Sequence, residues 1–130
     1  MNEIKSNAAS IVAFAAAYLA PVVPALITCG LLVAVDTITG IIAAKSKGES
    51  IQSKMLYRIA PKLIVYNLLI ITGYAVQQNM GINWIPFTDI STGVIALIEF
   101  KSILENVSKL IGKDVFEYIK DLLNKRNITK

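Results

Sequence analysis

Between Ala8 and Val35 the chain has 28 consecutive residues without a formal charge, and the run continues past Asp36 to Ala44. As one straight helix, Ala8–Ala44 would be about 55 Å long at about 1.5 Å per residue. A bilayer core is about 30 Å thick and needs about 20 apolar residues. A single membrane helix is therefore shorter than the run, and Pro21 and Pro24 stand where a break is needed. The second part, Val22–Ala44, is 23 residues long, enough to span with some tilt. It is the first expected transmembrane helix.

The first part, Ile4–Ala20, is diluted by alanines and only marginally long for a crossing. It reads as an interfacial amphipathic helix, as the start of a kinked span, or as a mimic of a secretory signal. Glu3 offsets Lys5, and no small-residue cleavage pattern precedes Pro21, so the signal reading is the weakest. An interfacial helix over 4–20 is the favoured expectation.

Composition sharpens the class. Apolar residues make up 55% and charged residues 17%, with a mean hydropathy of +0.59, whereas soluble domains carry about 25% charged residues. There is no histidine and one cysteine, Cys29. Imidazole acid–base chemistry, His-ligated metals and an internal disulfide are all excluded. No Gly-rich phosphate loop or paired-cysteine motif is present either. The expectation is a non-enzyme with no catalytic residue, no metal and no cofactor. The net charge of +4 lacks the clustered basic surface that nucleic-acid binding requires, and the expected partner is the lipid bilayer.

Lys45–Lys62 carries Lys45, Lys47, Lys54, Arg58 and Lys62 against Glu49 and reads as a basic, turn-like connector. Leu63–Ile82 supplies a second span. Trp84, Pro86 and Phe87 then suit a headgroup boundary, and 84–103 forms a third span whose uncharged core is cut short by Glu99 and Lys101. From Leu104 onward, apolar residues at 107, 111, 115, 118 and 122 recur at helical spacing and predict one amphipathic, basic tail over 104–130. The fold expected is all-α: about three transmembrane helices between an N-terminal amphipathic helix and a C-terminal amphipathic helix, in a single domain. Lys and Arg concentrate in the 45–62 connector and the tail and are missing from 77–89. Both basic segments should face the cytoplasm, with the N-terminus outside. A fourth crossing by 4–20 would move the N-terminus inside.

Each expected span carries a minority polar face. Asp36 is followed by Thr39 and Gly40; Asn67, Tyr74 and Gln78 share a stripe of the second span; Glu99, Ser102 and Asn106 share one of the third. A carboxylate inside a span costs roughly 2.5–3.5 kcal/mol on insertion scales, so Asp36 should be paired, with Lys62 or Lys101, or should face water. The stripes act either as glue within a monomer or as the lining of an oligomeric pore or seam. Three short helices cannot enclose a sizeable aqueous path, so a channel requires oligomers.

Two stretches carry a family resemblance. Asp36-Thr37-Ile38-Thr39-Gly40-Ile41-Ile42-Ala43-Ala44 is followed by a basic connector with Ser53-Lys54, and Glu99-Phe100-Lys101-Ser102-Ile103-Leu104-Glu105-Asn106 lies near the last span. Over roughly residues 25–112 this layout resembles the phage holin family that includes the clostridial toxin-secretion holins. The resemblance implies a small multi-pass protein of the bacterial cytoplasmic membrane that associates with itself. Its lesions would let an endolysin, a functional rather than a direct partner, reach the cell wall. It also implicates Asp36, Thr39, Gly40, Ser53, Lys54, Glu99, Ser102, Glu105 and Asn106, none of them catalytic. The N-terminal apolar segment with Pro21 and Pro24 departs from the family pattern. A non-lytic membrane scaffold or accessory subunit, and a pore for toxin export, are the competing readings.

Overall fold

The computed structural model describes residues 2–49, 57, 59–81 and 84–128. Its elements are all helical: α1 (Asn2–Leu19), a short 3-10 turn (Ala20–Val22), α2 (Val23–Ser46), α3 (Ile59–Asn79), α4 (Phe87–Ile111) and α5 (Val115–Ile128). No strand occurs among the described residues.

The two prolines tighten the first helical run without reversing it. Pro21 lies in the 3-10 turn and Pro24 in the first turn of α2, where a missing N–H is tolerated. The backbone stays right-handed helical through Leu19 (φ −87°, ψ −8°), Val22 (φ −94°, ψ −6°) and Val23 (φ −52°, ψ −43°). Ile4–Ser46 is accordingly one helical run of 43 residues, where a break into two separate helices was expected. Tyr18, near the end of α1, stacks edge-on against Tyr74 with ring centroids 5.4 Å apart and accepts a 2.9 Å hydrogen bond from Asn79 Nδ2. That contact marks where α1 leaves the last turns of α3. Before it, Ile4, Ile11, Val12 and Phe14 are all exposed.

Helices α2, α3 and α4 form a three-helix bundle in which α2 and α4 run parallel and α3 antiparallel to both. The register follows from its contacts: Val22, Cys29, Ile70 and Ile95 make one buried cluster, while Asp36 meets Lys62 and Asn106. Ile70 and Gly73 of α3 are buried. A Cβ on Gly73 would lie 2.8 Å from Ser91 Oγ and 3.0 Å from the Phe87 carbonyl oxygen, so α3 and α4 touch through a position that admits no side chain. Gln77, a further turn along this face, accepts 3.2 Å hydrogen bonds from the Thr88 backbone N–H and hydroxyl. It thereby satisfies a first-turn donor of α4 that no intrahelical carbonyl can reach.

Among the described residues, two helical runs are long and apolar enough to cross a membrane, Ile4–Ser46 and Ile59–Asn79, and only 17% and 6% of their most apolar windows are buried inside the protein. The core helix of a soluble domain would show the opposite. α4 is 25 residues long but carries Asp89, Glu99, Lys101, Glu105 and Lys109. Its outward face is mixed: Leu97 is 72% exposed and Glu99 0%, while Lys101 and Glu105 form an exposed pair.

Several boundaries differ from the sequence-based expectation. The helix that holds the expected second span, 63–82, runs from Ile59 to Asn79, and Ile59, Ala60 and Pro61 form a compatible first helical turn. The tail is two helices. α4 runs on to Ile111 and stops at Gly112, whose φ of +68° caps the helix in the left-handed region where glycine carries no Cβ penalty. Asp114 then starts α5 by accepting the Phe116 and Glu117 N–H groups at 2.8 and 3.3 Å.

Gly73→Ala is expected to force α3 and α4 apart and to lower stability by about 1–3 kcal/mol, as overpacking does. Gly30→Ala, whose Cβ meets nothing within 4 Å, should be neutral or gain up to about 1 kcal/mol from helix propensity. Thermal unfolding of the two purified variants in detergent checks the contrast.

Candidate functional site: a buried charge cluster joining three helices

The charged residues inside the bundle meet at one place. α3 presents Lys62 one turn from its start, and its ammonium lies 2.8 Å from Asp36 Oδ2 on α2 and 2.7 Å from Glu99 Oε2 on α4. Tyr66, one turn further along α3, donates its hydroxyl to Glu99 Oε1 at 2.7 Å. Asn106 on α4 reaches back to α2, its Nδ2 lying 3.1 Å from Asp36 Oδ1, 3.2 Å from the Asp36 carbonyl oxygen and 3.3 Å from Thr39 Oγ1. The Thr39 hydroxyl itself donates to the Val35 carbonyl at 2.9 Å, leaving its lone pairs free for Asn106.

Asn106 packs onto α2 at Gly40. A Cβ on Gly40 would sit 3.4 Å from Asn106 Nδ2, so the amide packs directly over the α2 backbone. Asp36, Thr37, Gly40, Ile41, Ile59, Lys62, Ser102 and Asn106 line a cleft of about 470 Å³ beside the cluster. Ser102 contributes to this wall on the same α4 face as Glu99 and Asn106.

The charges do not balance: two carboxylates face one ammonium. Glu99 is fully buried, and the lysine is the sole partner of its Oε2. Removing an ion from water costs several kcal/mol unless partners replace its hydration. Here Lys62, Tyr66 and Asn106 replace it with charge-assisted bonds from two directions. The arrangement is chemically a structural clasp. It holds no histidine or activated nucleophile, and no metal-binding group of three His, Cys, Asp or Glu residues occurs among the described residues.

The remaining expected residues fall in different places. Of the two cations expected near Asp36, Lys62 is the one in contact. Lys101 points outward and lies 3.6 Å from Glu105 in an exposed pair one turn apart. On α3 the line that faces its neighbours is Lys62, Tyr66, Ile70, Gly73 and Gln77, one residue to the side of the expected Asn67–Tyr74–Gln78 stripe. Tyr74 packs on Tyr18, Asn67 is half-buried and Gln78 is exposed. Ser53 and Lys54 lie outside the described residues. Tyr66 and Gln77 were not singled out from the sequence, although Tyr66 stands four residues after Lys62 and Gln77 four after Gly73.

With this geometry in place, comparison with known proteins is informative. A family profile described as the bacteriophage holin family matches residues 13–127. The chain belongs to the bacteriophage holin family. The match takes in the whole bundle, every residue of the clasp and nearly all of α5. No curated protein and no solved structure matches the chain. The clasp joins the two stretches that carried the resemblance, Asp36–Thr39–Gly40 and Glu99–Ser102–Asn106, within one holin-family chain. The apolar exteriors of α2 and α3 agree with a membrane protein.

Lys62→Met should destabilise the chain most, by about 3–5 kcal/mol, because it strands two carboxylates in an apolar setting. Tyr66→Phe should cost about 1–3 kcal/mol through the unsatisfied Glu99 oxygen. Lys101→Met, in an exposed pair, should cost less than about 1 kcal/mol. Denaturation midpoints of the three variants in one detergent test this order, and a Lys101 effect equal to that of Lys62 contradicts it.

Proposed function

We propose that this chain acts as a holin in the bacterial cytoplasmic membrane, assembling into lesions that let an endolysin reach the cell wall. The observation that carries the reading is that Asp36, Lys62 and Glu99 meet inside the bundle while the outward faces of α2 and α3 are apolar. Ile27, Leu31, Ile38 and Ile42 of α2 and Ile64, Val65 and Leu68 of α3 are all exposed, a surface suited to lipid. A monomer closed in this way can accumulate in a bilayer without opening a water path.

In this reading α2, α3 and α4 each cross the membrane. Glu99 and Asp36 can lie at depth because Lys62 neutralises part of their charge on the spot. Lys45, Lys47, Lys109 and Lys113 cluster at the end where α2 and α4 finish and α3 starts, and that end faces the cytoplasm. The N-terminus is then outside. A fourth crossing by α1 would need a chain reversal before α2, and the right-handed backbone at Leu19–Val23 supports continuation instead.

Lesion formation requires the inward polar faces to turn toward water or toward other subunits. The clasp is what must exchange: Asp36, Glu99 and Asn106 leave their intramolecular partners for partners in an assembly. Association of this kind rises steeply with concentration, since only the assembled state gains the new contacts. Asn67, Tyr74, Gln78 and Ser102 are then available as further seam or lining residues, with Ser53, Lys54 and Glu105 on the cytoplasmic side.

Induced expression with and without a cytosolic muralytic enzyme tests the proposal. Abrupt depolarisation in both strains, and lysis only with the enzyme, is expected. At equal membrane abundance Lys62→Met should depolarise earlier than wild type, and the neutral triple variant Asp36→Asn/Lys62→Met/Glu99→Gln should return toward wild-type timing. Stable membrane insertion without depolarisation, accompanied by co-purification of one partner, would favour a scaffold role instead.

A further inference from the structure

α5 is a helix that the bundle leaves half uncovered. Val115 at its first position is buried, and its N–H donates to Ser108 Oγ at 3.2 Å, which ties the start of α5 to α4. Beyond that point Phe116, Tyr118, Ile119, Leu122 and Leu123 are 44–69% exposed. Spacings of one, three, four and seven residues place them on one broad apolar arc. Glu117, Lys120, Asp121 and Asn124 occupy the opposite side.

We propose that α5 lies flat on the anionic headgroup surface of the leaflet at the basic end of the bundle, with this arc pressed into the acyl boundary. The inference rests on the reading of the bundle as membrane-embedded. Three observations select the bilayer as the occupant. First, the arc begins three residues after Lys113, and Lys113, Lys120, Lys125 and Arg126 against Asp114, Glu117 and Asp121 give the segment 113–126 a net charge of +1, a sign that suits anionic lipid. Second, α5 is tethered through Ser108 and Gly112 at the level where the exposed apolar surface of α4 ends in Leu110 and Ile111. Its arc therefore continues the lipid-facing surface around the corner. Third, a helix of 14 residues offers only roughly 200 Å² on one face, far short of the roughly 800 Å² per partner of a stable interface between two copies.

The full-length chain is tested in proteoliposomes with Cys29 replaced by Ala and a single environment-sensitive fluorophore on Leu123→Cys or, as the polar-face control, Asn124→Cys. In vesicles containing phosphatidylglycerol the Leu123 probe should emit to the blue of the Asn124 probe and be quenched several-fold more strongly by spin-labelled lipid. Pure phosphatidylcholine vesicles, or Lys113→Gln/Lys120→Gln, should reduce that difference. Resistance to carbonate extraction, measured in the same vesicles, reports whether the bundle is embedded. An embedded chain whose two probes behave alike and stay water-like overturns the proposal while leaving the holin reading intact. A blue shift that disappears when the protein is diluted into excess lipid also overturns it, in favour of contact between copies. A chain extracted by carbonate overturns both readings.

Discussion

The Lys62 ammonium, held between Asp36 on α2 and Glu99 on α4, is the contact on which the bundle depends. Apolar side chains gain little by leaving lipid for one another, so helices in a bilayer associate through close packing and hydrogen bonds. Val22, Cys29, Ile70 and Ile95 pack well but would pack about as well against acyl chains. Two carboxylates and an ammonium have no such alternative. If the bundle is embedded as proposed, the three helices are joined where separation would expose charge to hydrocarbon.

This dependence explains the distribution of residue types. Glu99 is among the most buried side chains, while leucines and isoleucines line the exterior. It also bears on the function proposed. An isolated interhelical hydrogen bond in a membrane is worth about 0.6 kcal/mol on average, so a bundle held by such bonds alone would open readily. An ion pair adds resistance to opening, yet the unbalanced second carboxylate keeps that resistance modest. A chain that must first stay closed and later rearrange benefits from both properties.

Much of this architecture was legible in the residues. The charge-free run from Ala8 to Val35, the 20-residue block after Lys62 and the polar positions at 36, 99 and 106 set the helical class, the number of apolar blocks and two sides of the clasp. The third side, Lys62, was one of the two cations expected beside Asp36, and only the structure separates it from Lys101. Lys62 borders an apolar run, and a cation at such a border reads as connector until its helix is seen to begin at Ile59. On α3 the expected stripe fell one residue from the line of contacts, because Asn67 is more polar than Tyr66 and, with Gln77 and Gln78 both present, the stripe was drawn from Asn67. The tail misled for a different reason. Its apolar spacing runs unbroken through Ile111 and Val115, and periodicity carries no sign of the left-handed turn at Gly112.

The sequence by itself determined that this chain is helical, apolar in span-length blocks and burdened with charged groups inside or beside those blocks, Asp36, Lys62, Asp89, Glu99 and Lys101. Composition and spacing are enough for that, since the cost of charge in lipid depends on residue type and position alone. Which of those groups meet was decided only by the tertiary structure. Helix register and rotation are set by small positions such as Gly73, where a Cβ would press on the Phe87 backbone, and by the direction in which α3 returns. A single residue of rotation separates Lys62 and Tyr66 from the stripe beside them, and a one-dimensional pattern cannot resolve that difference.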